Sequence, residues 1–322
     1  FCAVYYIQVE NNDSVTKLLL SGIGGVMYLL SRFMQCQIFS VLGIMEGLSL
    51  GSVLLMSMML IAYIRTDKIK YFSFSCIFWV ISQYCHDRYF GLLAILVLVC
   101  LYKWKQRKLP LMAPLFIGVL YWLQRTLTLT DSLRGTGKVS ITDSFSIAKF
   151  FKLVFSQIAY IMGINAGPEA RNGVNFREVP AGINLFIGGY IICIMAIFIL
   201  FVYMVVTKKD YQKNELLVES VLLIFTIGCC IAQSSVTTDV AVRFVYVSYS
   251  LFLILILRMI SYLLAKYGKA ALVWGIAVCM VCSAGVFEVY YRSQIVNVGF
   301  YKYKVFSESL YDITIKRYGK EF

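Results

Sequence analysis

Long apolar runs separated by short polar breaks set the pattern of this chain. Hydrophobic stretches cover residues 47–64, 71–84, 89–102, 109–123, 181–206, 216–233, 240–264 and 270–287. The longer ones approach the ~20 residues that carry a helix across a hydrocarbon core of about 30 Å. A helix satisfies its backbone hydrogen bonds internally, as lipid demands. The short alternating segments of a membrane barrel do not occur. An earlier apolar region, residues 18–45, is interrupted by Arg32, Gln35 and Gln37, and reads as one broken helix or two short ones. The expectation is an all-α, polytopic transmembrane bundle of about 8 to 10 spans.

One stretch departs from this pattern. Between residues 145 and 162, Ser146, Lys149, Lys152 and Ser156 recur at spacings of three and four, with Phe150, Phe151, Val154, Phe155 and Ile158 on other faces. Such periodicity marks an amphipathic helix lying in the membrane interface. A further spanning helix with snorkelling lysines is the alternative.

Composition closes off the soluble classes. Of 322 residues, 60% are hydrophobic, well above the roughly 45 to 50% of soluble domains. The net charge of +13 raises nucleic acid as a partner, but the basic residues cluster in loops: Arg65, Lys68 and Lys70; Lys103, Lys105, Arg107 and Lys108; Lys208, Lys209 and Lys213; Lys266 and Lys269. Positive loops face the cytoplasm in membrane proteins. All four clusters share that face if segments 71–84 and 89–102 both cross and segment 145–162 does not. The reading is a multi-pass protein of the cell membrane, in contact with membrane lipids, with no nucleic-acid partner.

The simplest partition is one membrane domain over residues 1–322, with an outer loop region at 125–180 and a polar tail at 291–322. The chain opens on Phe1 rather than Met, so an N-terminal part is expected to be missing. Most of the ten cysteines lie inside apolar segments and read as small hydrophobes. Cys279 and Cys282 have CxxC spacing but no second pair, so no metal site is assigned.

Three polar constellations fall on the expected outer face. The first is His86, Asp87, Arg88 and Tyr89, joining two apolar segments and holding the single histidine. Ionisable groups at membrane depth are expensive and face a cavity or each other. Asp87 and His86 are the candidate catalytic acid and base, Arg88 and Tyr89 the candidate substrate ligands. A carboxylate such as Asp87 is also the type that holds a divalent metal, although the sequence names no cofactor. A solvated turn with Asp87 paired to Arg88 is the bland alternative.

The second constellation is Asp239 and Arg243, four apart at the start of a span and followed by Phe244, Tyr246 and Tyr249. They are candidate substrate ligands or a structural pair. The third is Glu169 and Arg171 beside Gly167 and Pro168, in a loop suited to a binding lid or to ordinary exterior duty. Glu46 would join the outer face too, and a snorkelling carboxylate explains it equally well. Gly135 to Lys138 resembles a fragment of a phosphate loop without the full spacing. Basic residues of the outer region, Arg125, Arg134, Lys138, Lys149 and Lys152, attract phosphate or anionic headgroups.

His86 to Tyr89 and Arg243 with Phe244 are similar to the Arg-Tyr and His-x-Arg-Tyr elements that open spans in polytopic glycosyltransferases of the GT-C superfamily. The chain resembles in particular the bacterial enzymes that use polyprenyl-phosphate-linked sugars. That resemblance implies an inverting transfer from a polyprenyl-phosphate-linked sugar to a glycan, lipid or protein acceptor on the outer face. It also implies an acidic base in a first outer loop, which this sequence does not identify. Rivals are a polysaccharide polymerase or ligase on the same carrier, a lipid or glycan transporter, and a non-catalytic scaffold of a glycan assembly.

Overall fold

Apolar runs of this length form helices because each residue added to a helix contributes one internal hydrogen bond and packs or exposes only apolar surface. The computed structural model describes residues 3–4, 13–34, 43–107, 112–128, 146–165, 174–207, 213–236 and 242–318. Among them there is no strand. The helices are α1 (Ser14–Leu30), α2 (Gly43–Thr66), α3 (Ile69–Cys85), a 3-10 segment (Asp87–Leu92), α4 (Leu93–Arg107), α5 (Met112–Thr128), α6 (Ile147–Ile161), a short 3-10 turn (Phe176–Glu178), α7 (Ala181–Thr207), α8 (Lys213–Ser234), α9 (Val242–Lys266) and α10 (Ala270–Tyr318).

Among the described residues, five helices are long and apolar enough to cross a membrane: the stretches Ile44–Thr66, Ala181–Thr207, Leu216–Ser234, Phe244–Lys266 and Ala270–Gln294. The fold is therefore that of a helical membrane-type protein. In α9 the apolar window is 89% buried, against 33% in α7 and in α10, which makes α9 the hub of the bundle. Outer helices carry large apolar side chains on open surface, such as Leu185, Ile192 and Val206 on α7 and Phe116 and Trp122 on α5. A surface of that kind belongs in lipid.

Contacts along the helices define two ends. At one, Arg65 of α2, Asp67 after it, Lys103 of α4, Glu219 of α8 and Arg258 of α9 are joined by ion pairs. Asp67 turns the chain from α2 into α3 with a left-handed φ of 55° and receives Lys103 at 2.7 Å. At the other end lie Glu46 of α2, the 3-10 segment and Tyr246 of α9. Neighbouring helices run in opposite senses between these ends, and the basic clusters at 65–70, 103 and 266–269 gather at the first. Of the four basic clusters expected to share a face, Lys208 and Lys209 lie outside the described residues.

Of the interrupted region, residues 35–42 lie outside the described residues, and the described parts are helical with a break at Ser31. α1 begins on Asp13, whose carboxylate accepts from the Thr16 N–H at 3.3 Å. It stops at Ser31, where the backbone turns extended, and α2 starts afresh at Gly43. Arg32 follows that stop, fully buried. Its guanidinium donates to the Tyr160 carbonyl and lies over the rings of Phe33, Tyr160 and Tyr291. Its backbone N–H donates to Glu288 of α10 at 2.9 Å, and Arg292 one turn on reaches the Leu29 carbonyl. Phe33 stacks on Tyr249 at 4.5 Å, which places this cluster at the same end as Glu46.

One difference from expectation concerns the tail. α10 continues without a break to Tyr318, where the sequence reads as a polar tail from 291. Its mixed Lys, Tyr, Glu and Asp content lacks the apolar run that announces the other helices.

Candidate functional site

Helix α3 ends at Cys85, and the His86 N–H donates back to the Ser82 carbonyl as the backbone turns extended. The 3-10 turn that follows is tight, so His86, Arg88 and Tyr89 are presented together rather than spread along a helix. Gly91 allows the segment to lie against α8: a Cβ there would stand 2.9 Å from the Gln233 side chain.

What these side chains meet is Glu46, in the first turn of α2. One of its oxygens, Oε1, lies 3.0 Å from His86 Nε2 and 3.1 Å from Arg88 Nη2. Arg88 also stands 3.1 Å from the same imidazole nitrogen. The guanidinium packs over the Phe244 ring at 4.7 Å and over Tyr89 at 5.9 Å. Tyr89 donates its hydroxyl to Tyr246 at 3.0 Å, and the Tyr246 hydroxyl sits close to the Glu46 carboxylate. The Tyr89 side chain is buried, and its hydroxyl is the donor of this bond.

The electrostatics are those of a sheltered site with one open side. The Glu46 side chain is 5% exposed, Arg88 12% and His86 22%. A carboxylate this deep is tolerated because two nitrogen donors share it. His86 is its most accessible member, and an imidazole is the side chain best suited to take or give a proton near neutral pH.

Comparison with protein families, curated proteins and solved structures finds no match. Function is therefore argued from this geometry.

The residues singled out in the sequence fare unequally. His86, Arg88 and Tyr89 come together around one carboxylate. Asp87 opens the 3-10 segment and Arg243 falls in the first turn of α9; their side chains lie outside the described residues. The Phe244 ring, beside Arg243 in sequence, lies under the Arg88 guanidinium. Glu169, Arg171 and Asp239 lie outside the described residues, as do residues 135–138. Among the described residues no group of three His, Cys, Asp or Glu is placed to hold a metal ion.

The residues that sequence reasoning undervalued are Glu46 and Tyr246. Glu46 stands 40 positions before His86, and its pairing depends on the antiparallel packing of α2 against α3. The one available signal was a carboxylate at the start of an apolar run on the face shared with the only histidine.

Proposed function

We propose that this chain is a multi-pass membrane glycosyltransferase of the GT-C kind, moving a sugar from a polyprenyl-phosphate donor to a cell-envelope glycan or lipid acceptor. The observation that carries the reading is the convergence of His86 and Arg88 on buried Glu46, with Phe244 packed against Arg88, at the end of the bundle opposite Lys103 and Arg65. In the proposed topology the shorter helices α1, α3, α4 and α5 cross with the five long ones and α6 does not. The basic end is then cytoplasmic by the positive-inside bias, and the Glu46 end faces outward.

The chemistry asks for three things. An acceptor hydroxyl attacks the anomeric carbon while the bond from that carbon to the lipid phosphate oxygen breaks. The hydroxyl proton passes to a base, for which His86 and Asp87 are the candidates. The polyprenyl phosphate leaves with negative charge, which Arg88 and Arg243 stabilise. Glu46 positions the imidazole and the guanidinium for these roles.

The test is turnover in proteoliposomes supplied with a panel of polyprenyl-phosphate sugars and acceptor lipids. Consumption of a donor by the native chain and its loss in His86→Ala and Arg88→Ala, with both variants still folded, supports the reading. Donor that crosses the bilayer without being consumed converts it to transport, and turnover indifferent to both substitutions removes the site.

A further inference from the structure

Helix α6 has three distinct sides, and two of them have work other than packing. Its protein side is formed by Leu153, Gln157, Tyr160 and Ile161, all buried. The Gln157 amide donates to the Ile231 carbonyl at 3.3 Å and to the Ser235 hydroxyl at 2.9 Å, both near the outer end of α8. The Tyr160 carbonyl receives Arg32, and Gly163 just beyond receives the Tyr291 hydroxyl at 3.0 Å. These anchors hold α6 at the outer end of the bundle.

A second side carries Ile147, Phe151, Phe155 and Ile158, at spacings of four, four and three, which is one helical stripe. These residues are open: Ile147 is 68% exposed and Phe155 66%. The four residues of that stripe are all apolar, so its stable surroundings are hydrocarbon, with Lys152 at its border. Lys149, Lys152 and Ser156 form the third side, between the stripe and the buried face, with Lys152 exposed and Lys149 and Ser156 half-buried. A helix that offers lipid-facing rings on one side and cations on the next, while its third side is fastened to the outer end, lies along the membrane boundary.

We infer that α6 is a docking strap for anionic phospholipid headgroups: Phe151 and Phe155 enter the acyl region, and Lys149 and Lys152 hold headgroup phosphates. The occupant is fixed by charge complementarity beside an apolar stripe, since a soluble anion would satisfy the lysines and leave the rings in water. Through Gln157 the strap is fastened to α8 at Ile231 and Ser235. The inference is independent of the glycosyltransferase reading, because it concerns how the chain meets the bilayer.

The experiment places single spin labels at Ile147, Lys149, Phe151, Lys152, Phe155 and Ile158 in the full chain, in a background without reactive thiols. Nanodiscs contain phosphatidylcholine alone or with phosphatidylglycerol. Depth is read from accessibility to oxygen against a water-soluble nickel chelate. A strap gives shallow depth that oscillates with the helical period, with 151 and 155 in hydrocarbon and 149 and 152 at headgroup level. A spanning helix instead gives depth that changes steadily by about 1.5 Å per residue, and that result overturns the inference.

Lipid preference is read in the same particles by quenching with brominated phosphatidylglycerol. Lys149→Gln with Lys152→Gln lowers the preference for the anionic lipid by about 5-fold per lysine, the equivalent of ~1 kcal/mol for each basic residue at an anionic surface. Lys149→Arg with Lys152→Arg retains it and controls for folding. An unchanged preference in the double Gln variant also overturns the proposal.

Discussion

Glu219 and Glu46 are buried to nearly the same degree at opposite ends of the bundle, with relative exposures of 1% and 3%, yet their partners differ in kind. Arg65 grips Glu219 through two contacts, Nε to Oε1 at 2.6 Å and Nη2 to Oε2 at 3.1 Å. Arg258 adds a second guanidinium on Oε2. Both oxygens are taken, and three helices are locked. At Glu46, by contrast, His86 and Arg88 crowd onto Oε1, while Oε2 is buried with no hydrogen-bond partner of ordinary geometry among the described residues. Two guanidiniums hold the Glu219 carboxylate through both oxygens, whereas the Glu46 carboxylate borders an accessible imidazole, the group to which the proposed function gives proton transfer.

The largest effect expected from this contrast is structural. Glu219→Ala leaves two guanidiniums without their shared carboxylate at the cytoplasm-assigned end. Breaking a buried pair by removing one member costs about 3–5 kcal/mol. Thermal unfolding in detergent should show a large drop, with activity lost only in step with the folded fraction. A variant that remains as stable as the parent would mean that the network is not a lock.

At the other end the order of effects is reversed. Arg88→Ala should destabilise the chain less than Glu219→Ala, because His86 still pairs with Glu46, while lowering turnover about 100- to 1000-fold, the usual consequence of removing one preorganised donor from a developing anion. The same assay with Arg88→Lys tests geometry, since lysine restores charge without the planar fork. If Arg88→Ala unfolds the chain as Glu219→Ala does, the two ends are equivalent and the comparison fails.

How much of this was legible depends on whether a signal is local. α7 was readable almost to the residue, 181–206 against Ala181–Thr207, because an uninterrupted apolar run of that length has no alternative structure in lipid. The reversal at His86 was readable from a polar tetrad between two apolar runs. The 3-10 form it takes was not, because the backbone detail depends on how closely Gly91 approaches α8. Arg32 marked a break without indicating what kind. Two of the three rings it lies over, Tyr160 and Tyr291, come from α6 and α10, more than a hundred residues away, and no local pattern encodes such a meeting. Glu46 shares that difficulty. A carboxylate at a helix start favours the helix dipole anyway, so its pairing with His86 was hidden behind an ordinary reason to be there.

Glu46→Gln sharpens the contrast within the outer site. The amide keeps an oxygen acceptor of nearly the same shape but loses the charge that attracts Arg88 and His86. Hydrogen bonds to charged groups contribute about 1.5–3 kcal/mol, so turnover should fall between roughly 10- and 150-fold with a modest change in unfolding. Turnover equal to the parent would show that Glu46 holds the segment by shape alone.

The smallest effect belongs to Tyr246→Phe, and it separates a positioning chain from simple packing. The ring is fully buried on α9, and the substitution keeps its volume while deleting the hydroxyl that accepts from Tyr89 and neighbours Glu46. Loss of one neutral hydrogen bond contributes about 0.5–1.5 kcal/mol. If that bond only fills space, the loss appears in unfolding and turnover stays level. If it fixes the carboxylate that aligns His86 and Arg88, turnover falls about 2- to 10-fold and the KM for donor rises less than kcat declines. Tyr89→Phe removes the donor of the same bond, so the double variant should cost little more than either single one. Full additivity would show that the two hydroxyls act separately and that no relay links the 3-10 segment to Glu46.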